Sequence, residues 1–297
     1  MLSGVEGRCF HRSARFFMKW TWRCPSASQC KTGEEPSNFE MVPRYFLYLS
    51  LRFLSCIVAK QYGYFRRKRP FVGRMELGMS VQIQTYVQRM HDGDLLDRWR
   101  QVPTSVVADL QHGKQVDPSI RPIRPAGSQP RLFGFAVTAR CEPPDFGAVL
   151  HSMDLLQFQS VLVIAANGHR ETAMIGDILG GYARKNGATG LVCDGAVRDV
   201  GRLTQWDDFS VYARSVAPLG PRSGERGAVN IPVGIGGKIV SPGDLVLGDD
   251  DGVVVLSPEE VVDLIDGAEE KLRKERAWES AFSSGETASR VFCLPRS

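Results

Sequence analysis

Between residues 131 and 213, segments with the pattern of strands alternate with segments with the pattern of helices. Side chains of Arg131–Arg140 alternate as in a strand, and Val161–Ile164 is entirely apolar, which is typical of a strand covered on both faces of its sheet. Further strands are predicted at Gly190–Cys193 and Phe209–Ala213, and helices at Gly147–Gln157 and Ile178–Asn186. Strands joined through helices lie parallel in one sheet, so the alternation indicates an α/β fold.

Shorter elements surround this alternating region. Helices are predicted at Val81–Arg100, from Pro103, and from Ser257 to about Ser280, where Ser-Pro-Glu-Glu supplies a cap and an acidic first turn. Short strands with tight turns are predicted at Val229–Val233, Lys238–Val240, Asp244–Gly248 and Gly252–Leu256. We therefore predict one α/β domain with a mixed sheet and flanking helices.

The stretch Gly176–Asp199 brings charged residues to both ends of a helix–strand unit. A Gly-Asp turn opens the predicted helix, Gly187 ends it, and the predicted strand Gly190–Cys193 is followed by Asp-Gly and then by Arg198-Asp199. Ligands of α/β sheets bind where strands end and helices begin. We therefore expect Asp177, Arg198 and Asp199 to converge on one point.

These residues form a chemically coherent set. The N–H groups of Asp177, Ile178 and Leu179 at the helix start favour a carboxylate or phosphate, and Arg198 adds a planar cation for a carboxylate or enolate oxygen. Asp199 is a hard oxygen donor of the kind that Mg²⁺ or Mn²⁺ prefers, and Asp177 is available for proton transfer through a water. Together they suit carbon–carbon cleavage of an oxo-acid through an enolate. Taken singly, a solvated Arg-Asp pair and a helix-capping acid explain the same residues.

The spacing resembles that of the RraA-like family, which includes class II pyruvate aldolases acting on 4-hydroxy-4-methyl-2-oxoglutarate. Aldolase members have an acid, twenty residues and then Arg-Asp, as Asp177, Ile178–Val197 and Arg198-Asp199 are arranged here. The resemblance extends from about Leu95 to about Arg290. Other similar stretches are Thr104–Asp109, Gly134–Thr138, Val229–Val233, Gly236-Gly237, Ser241–Asp244 and Asp249–Val255.

The resemblance implies an RraA-like swivelling β/β/α fold and a homotrimer or homohexamer with sites between subunits. It implies that the backbone of Gly176, Asp177, Ile178 and Leu179 binds a pyruvyl carboxylate. By the same resemblance, Arg198 binds substrate and stabilises the enolate, Asp199 binds Mg²⁺ or Mn²⁺, and Asp177 moves protons through water. Glu270 and Glu275 are candidates for the acidic residues that family members take from a neighbouring subunit.

Two function classes follow from the resemblance. The first is a metal-dependent lyase that releases pyruvate from 4-hydroxy-4-methyl-2-oxoglutarate or a related 4-hydroxy-2-oxo acid and decarboxylates oxaloacetate. The second is a regulator that binds and inhibits a ribonuclease; such members can lack the acid after the arginine. Asp199 favours the lyase. A methyltransferase is disfavoured, because no glycine-rich cofactor signature follows a first strand.

The first 74 residues differ from the rest in charge. They contain 14 Lys/Arg and 4 Asp/Glu, whereas the remainder contains 23 and 29. We predict a disordered or non-native basic extension at residues 1–74 and the aldolase domain at residues 75–297. The mildly acidic remainder argues against a nucleic-acid surface, and the scattered cysteines favour a reducing, cytoplasmic compartment.

Three explanations of the extension remain open. Its arginines and few acids resemble a mitochondrial presequence. The second explanation is membrane anchoring by Tyr45–Ala59, but its roughly 15 residues are too few to span a membrane comfortably and include Arg52, and we expect no membrane partner. Alternatively, the natural start lies at Met75 or Met79 and the preceding segment is an artefact of gene prediction.

Overall fold

The computed structural model describes residues 81–86, 92–111 and 113–295. The predicted extension, residues 1–74, lies outside the described residues, so the predicted domain limits stay a prediction. None of the helices in the described part is both long enough and apolar enough to cross a membrane.

Eight α-helices occur in the described residues. They are α1 (Gly93–Trp99), α2 (Thr104–Leu110), α3 (Gly147–Ser152), α4 (Asp177–Lys185), α5 (Val200–Leu203), α6 (Pro258–Asp263), α7 (Ile265–Ser283) and α8 (Ala288–Val291). A 3₁₀ turn, Met153–Leu155, continues α3. The predicted C-terminal helix is divided at Leu264 into α6 and α7, and Ser257 and Glu260 form the capping box that opens α6.

The strands form one large mixed sheet and a separate hairpin. They are β1 (Gln82–Ile83), β2 (Arg121–Pro122), β3 (Leu132–Arg140), β4 (Ser160–Ile175), β5 (Gly190–Val197), β6 (Ser210–Val216), β7 (Ala228–Val229), β8 (Val233–Ile235), β9 (Lys238–Val240), β10 (Leu245–Asp249) and β11 (Gly252–Leu256). The large sheet has the order β1-β7-β3-β4-β5-β6-β2, β10 pairs with both β3 and β11, and β8 and β9 form the hairpin. Strands β3, β4, β5 and β6 are parallel neighbours, while β10 is antiparallel to β3. This confirms the predicted α/β class with a mixed sheet.

The two faces of β3 enter different apolar clusters. Phe133 and Phe135 pack with residues of α1, α2, α7, β10 and β11. Leu132 and Ala136 pack with residues of β4, β5, β6 and the hairpin β8–β9. Side chains of a strand alternate between faces, and the sheet is therefore covered on both sides, as the all-apolar stretch Val161–Ile164 predicted.

The N-terminal prediction was partly wrong. The segment Val81–Arg100 was predicted as one helix, but Gln82–Ile83 is a strand that pairs in parallel with Ala228–Val229. Helix α1 begins only at Gly93, where the Asp92 carboxylate accepts the N–H of Asp94 at 3.1 Å. The backbone N–H and C=O groups of this strand are satisfied by a partner about 145 residues away. The local side-chain pattern, from which the helix was predicted, does not reveal such a partner.

Strand β4 is longer than predicted. It extends beyond the apolar stretch Val161–Ile164, through Asn167–Arg170, to Ile175, with shifts of register against β5. Asn167 and Gly168 have φ of 50° and 71°. Residues with positive φ produce a bulge, which breaks the alternating pattern without ending the strand.

Strand β5 is also longer than predicted. It was expected to end at Asp194-Gly195 but continues to Val197. Asp194 is buried, and its Oδ1 lies 2.5 Å from Nε of Arg214 on β6. Because this ion pair compensates the buried charge, a polar residue is tolerated inside the strand.

A buried acid after the hairpin β8–β9 gives a testable pH dependence. Asp244 is 7% exposed, and its carboxylate accepts the N–H of Ser241 at 2.8 Å. Burial raises its pKa from 3.8 to about 6. The unfolded chain ionises first as pH rises, so Asp244 lowers the free energy of unfolding between about pH 4 and pH 6, by roughly 3 kcal/mol in total.

Asp244→Asn is therefore expected to flatten the pH dependence of stability over this interval. The amide oxygen of Asn can still accept the Ser241 N–H, so the turn is retained. Urea unfolding of both proteins from pH 4 to pH 7 measures the difference. A constant offset between the two curves at every pH would contradict the assignment.

Candidate active site

Two neighbouring parallel strands end beside each other at the candidate site. Ile175, the last residue of β4, pairs with Val197, the last residue of β5. The N–H of Arg198 donates to the carbonyl of Ile175 at 3.1 Å. The start of α4 and the Arg198-Asp199 turn are thereby held together, as predicted from strand ends in α/β sheets.

Gly176 provides the space in which the charged residues meet. A Cβ at this position would lie 2.3 Å from Oδ2 of Asp199 and 2.9 Å from Cγ of Arg198. The backbone is extended, with φ −143° and ψ −161°, so conformational freedom is not the reason for glycine. Only the absence of a side chain allows the two charged residues to approach the helix start this closely.

One oxygen of Asp199 joins the predicted residues. Its Oδ2 lies 3.3 Å from the N–H nitrogen of Asp177 and 3.3 Å from Nε of Arg198. Asp199 itself has φ 56° and ψ 34°, a left-handed conformation that aspartate adopts more readily than most residues. The structure therefore brings Asp177, Arg198 and Asp199 to one point.

The anion cradle differs in one respect from the sequence-based expectation. The N–H of Asp177, predicted to bind substrate, donates to Asp199 instead. The N–H groups of Ile178 and Leu179 have no partner within α4, because the helix begins at Asp177. Ile178 is 44% exposed, whereas the Leu179 side chain is buried, so Leu179 contributes only its backbone.

A fourth charged residue, Arg202, was not predicted. Its Nε lies 3.8 Å from Oδ2 of Asp177, and its side chain is 71% exposed. The side chains of Arg198, Asp177 and Asp199 are 20%, 29% and 39% exposed. The sequence did contain a signal for Arg202, which is its position three residues after Asp199. Residues three apart on a helix lie on one face.

Helix α4 rests closely on the segment that follows Asp199. A Cβ at Gly180 would lie 3.1 Å from Cδ2 of Leu203 and 3.4 Å from the Trp206 ring, and the Arg184 guanidinium lies 5.5 Å above that ring. Arg184 also contacts Asp208 at 2.5 Å. Because small residues allow this approach, the helix start keeps a fixed distance from the Arg198-Asp199 turn.

The side chains of the site fit a magnesium or manganese ion better than a structural zinc. In the described part of the chain, no group of three or more His, Cys, Asp or Glu could hold a metal. Mg²⁺ is commonly held by one or two carboxylates with waters and substrate oxygens, and Asp199 offers one such carboxylate. A structural zinc site needs four protein ligands.

The acidic residues expected to serve a neighbouring subunit have partners on their own helix. Glu270 Oε1 lies 2.9 Å from Nζ of Lys274, and Glu275 Oε1 lies 3.5 Å from Nζ of Lys271. All four lie on α7, away from residues 176–199 in sequence. Their predicted role in a neighbouring site stays a prediction.

Comparison with known proteins identifies relatives of more than half of the chain. A sequence profile of the RraA-like family, described as Aldolase/RraA, matches residues 92–255. A protein of Halalkalibacterium halodurans, named as a candidate 4-hydroxy-4-methyl-2-oxoglutarate aldolase, is 31% identical over 199 residues, which are 67% of this chain and 93% of that protein.

Two crystal structures share the fold. An uncharacterized protein from Pseudomonas syringae pv. tomato has a TM-score of 0.61 and 25% identity, covering 71% of this chain and 99% of its own. Streptomyces coelicolor RraAS2, described as an unusual member of the RNase ES inhibitor RraA protein family, has a TM-score of 0.57 and 25% identity, covering 64% of this chain and 99% of its own. The chain, with its mixed α/β sheet and its Asp177, Arg198 and Asp199 brought together at the start of α4, belongs to the RraA-like family.

Proposed function

We propose that the protein is a metal-dependent carbon–carbon lyase that releases pyruvate from 4-hydroxy-4-methyl-2-oxoglutarate or a related 4-hydroxy-2-oxo acid and also decarboxylates oxaloacetate. The observation that carries the proposal is the meeting of Asp177, Arg198 and Asp199 in the space left by Gly176. Relatives named as candidate aldolases at about 30% identity support it. Assembly as a homotrimer or homohexamer is part of the same proposal.

The helix start and Arg198 would bind and orient the substrate. The N–H groups of Ile178 and Leu179 point out of the first turn of α4 and would hold the substrate carboxylate. The Arg198 guanidinium, only 20% exposed, would contact the 2-oxo oxygen. A fixed cation in a partly water-excluded position stabilises the negative charge that develops there when the C3–C4 bond breaks.

Asp177 would move the protons of the aldol cleavage. The C4 hydroxyl loses its proton as the C3–C4 bond breaks, and Asp177 accepts that proton through a water. The electron pair of the broken bond forms the enolate of pyruvate, and a proton is then returned to C3. In oxaloacetate the same C3–C4 bond breaks with loss of CO₂ from the C4 carboxylate, so the two reactions share the enolate and the decarboxylation needs no proton acceptor.

Asp199 would hold the metal. Mg²⁺ or Mn²⁺ bound there would act as a Lewis acid that stabilises negative charge on the substrate oxygens. The carboxylate of Asp199 lies beside both Arg198 and the start of α4, so it is placed to serve a substrate held by these two groups.

Asp199→Asn is expected to lower kcat/KM by about 10²–10³-fold and to remove stimulation by Mg²⁺. Asparagine keeps the size of the side chain, tolerates the left-handed backbone and can accept the Asp177 N–H, so only the charge is lost. Pyruvate release from 4-hydroxy-4-methyl-2-oxoglutarate, with and without Mg²⁺, is the measurement. Asp263→Asn, at an exposed position at the end of α6, is the matched control. A parental rate for Asp199→Asn would refute the metal assignment.

A second candidate is a regulator that binds a ribonuclease. The observation in its favour is the structural similarity to RraAS2, which is described as a member of a ribonuclease inhibitor family. Inhibition of a purified ribonuclease by this protein, together with no metal-dependent release of pyruvate from any of a panel of oxo-acids, would make the regulator the better explanation.

A further inference from the structure

Arg202 lies at the outer edge of the candidate active site. Its Nε is 3.8 Å from Oδ2 of Asp177, and 71% of its side chain is exposed. Arg198, on the other side of Asp199, is only 20% exposed. The site thus has an inner arginine and an outer arginine, and the reaction proposed above uses only the inner one.

The backbone of Arg202 is held firmly although its side chain is exposed. Its N–H donates to the carbonyl of Asp199 at 2.9 Å. The next residue, Leu203, is 1% exposed, and Gly180 of α4 leaves the space for it. The base of the side chain therefore has a fixed position relative to the helix start, while the guanidinium can move.

The contact between Arg202 and Asp177 is weak enough to be exchanged. At 3.8 Å it is an ion pair without hydrogen-bond geometry, and exposed pairs of this kind contribute little to stability. A carboxylate that bound the guanidinium through two parallel N–H···O contacts would be a stronger partner. A substrate carboxylate can therefore displace this contact at small cost.

Resting on the proposed function, we propose that Arg202 is a specificity-determining residue that binds the second carboxylate of a dicarboxylic oxo-acid. The helix start takes the carboxylate next to the oxo group, Arg198 takes the oxo oxygen, and Arg202 takes the carboxylate at the other end of the substrate. Monocarboxylic 4-hydroxy-2-oxo acids lack this last group and gain nothing from Arg202.

The charges of the site agree with this assignment. Two arginines and two aspartates, Arg198, Arg202, Asp177 and Asp199, cancel in formal charge. A bound divalent cation would leave an excess of two positive charges, which a dicarboxylate balances and a monocarboxylate does not. Without Arg202 the excess would be one, which matches a monocarboxylate.

The test compares Arg202→Gln with the parent on two substrates cleaved at the same bond. For 4-hydroxy-4-methyl-2-oxoglutarate, a dicarboxylate, KM is expected to rise about 10-fold or more with kcat changed less than about threefold. For 4-hydroxy-2-oxopentanoate, a monocarboxylate, KM is expected to change less than about threefold, because this substrate has no second carboxylate for Arg202 to bind. Any effect of the variant through the contact between Arg202 and Asp177 lowers kcat for both substrates alike. Arg202→Lys keeps the positive charge but lacks the planar guanidinium, so its KM for the dicarboxylate is expected to lie between those of the parent and Arg202→Gln.

Direct binding separates this proposal from the proposed function. Calorimetric titration with 2-oxoglutarate and with 2-oxopentanoate, which have equal chain length but two and one carboxylates, needs no turnover. We expect the parent to prefer 2-oxoglutarate and Arg202→Gln to lose that preference. Arg290→Gln is the matched control, since Arg290 is 75% exposed and lies 3.2 Å from Glu286 on the C-terminal segment.

Each outcome decides between the two proposals. If the parent cleaves both substrates and Arg202→Gln keeps the parental preference for the dicarboxylate, the role of Arg202 is refuted and the lyase stands. If the parent cleaves neither substrate, the lyase is refuted, and the calorimetric preference alone decides the role of Arg202. Equal affinity of the parent for 2-oxoglutarate and 2-oxopentanoate would overturn the role of Arg202 in either case.

Discussion

Gly176→Ala is expected to lower kcat/KM for pyruvate release by about 10²-fold or more, because misplacement of catalytic groups by about 1 Å has effects of this size. The added methyl would lie 2.3 Å from Oδ2 of Asp199 and 2.9 Å from Cγ of Arg198, well inside van der Waals contact. Both side chains must move away from the start of α4, so metal binding and substrate binding are disturbed together. Steady-state kinetics at several Mg²⁺ concentrations measure both effects.

The fold of the Gly176→Ala protein should be intact. Alanine tolerates φ −143° and ψ −161°, and the new Cβ meets side-chain atoms rather than backbone, so a loss of about 1 kcal/mol at the helix cap leaves the domain folded. Gly201→Ala is the matched control, because a Cβ at Gly201 meets nothing within 4 Å and the residue lies on α5, two positions from Asp199. The control should be as active as the parent. Parental activity of Gly176→Ala would show that the close approach of Asp199 is not used in the reaction.

Arg198→Ala is expected to lower kcat/KM by about 10³-fold, the upper range for removal of one group that stabilises a developing oxyanion. The guanidinium is 20% exposed and contacts Oδ2 of Asp199 at 3.3 Å. Its loss removes the cation that the proposed function places at the oxo oxygen and also removes the contact to the Asp199 carboxylate. Initial rates of pyruvate release give the effect on kcat and on KM.

Chemical rescue distinguishes a catalytic role of Arg198 from a structural one. Guanidinium ions at millimolar concentration, far below denaturing levels, should restore part of the activity of Arg198→Ala but not of Gly176→Ala, in which the guanidinium is present. Arg198→Lys should remain well below the parent, because a compact ammonium cannot reproduce both the contact to Asp199 and the proposed contact to the oxo oxygen that one planar guanidinium makes. Full activity of Arg198→Lys would contradict the proposed contact geometry.

Local chemistry determined the elements that could be predicted. Gly187, with φ 89°, ends α4 because few residues other than glycine adopt that conformation. Ser257 and Glu260 form the capping box that opens α6. The two-residue period of Leu132–Arg140 placed Phe133 and Phe135 on one face of the sheet. The helix end and the capping box are decided by residues within a few positions, and the side-chain period of β3 is visible because it runs over nine consecutive residues.

Elements that depend on distant partners could not be predicted. The strand Gln82–Ile83 exists because Ala228–Val229 lies beside it. The polar stretch Asn167–Arg170 continues β4 because β4 still pairs with β5 here, with a bulge that shifts the register. Hydrogen bonds between strands pair backbone N–H and C=O groups whatever the side chains are. The periodicity of the side chains therefore does not reveal which segments pair.

The same division applies to the candidate site. The sequence by itself indicated three of its charged residues, since Asp177, Arg198 and Asp199 occupy positions set by where a helix starts and a strand ends. Only the tertiary structure decided that Asp199 takes the N–H of Asp177, that Gly176 supplies room for this, and that Arg202 reaches Asp177. These contacts depend on the relative positions of separate elements to within a few tenths of an ångström. Spacing along a chain does not contain that information.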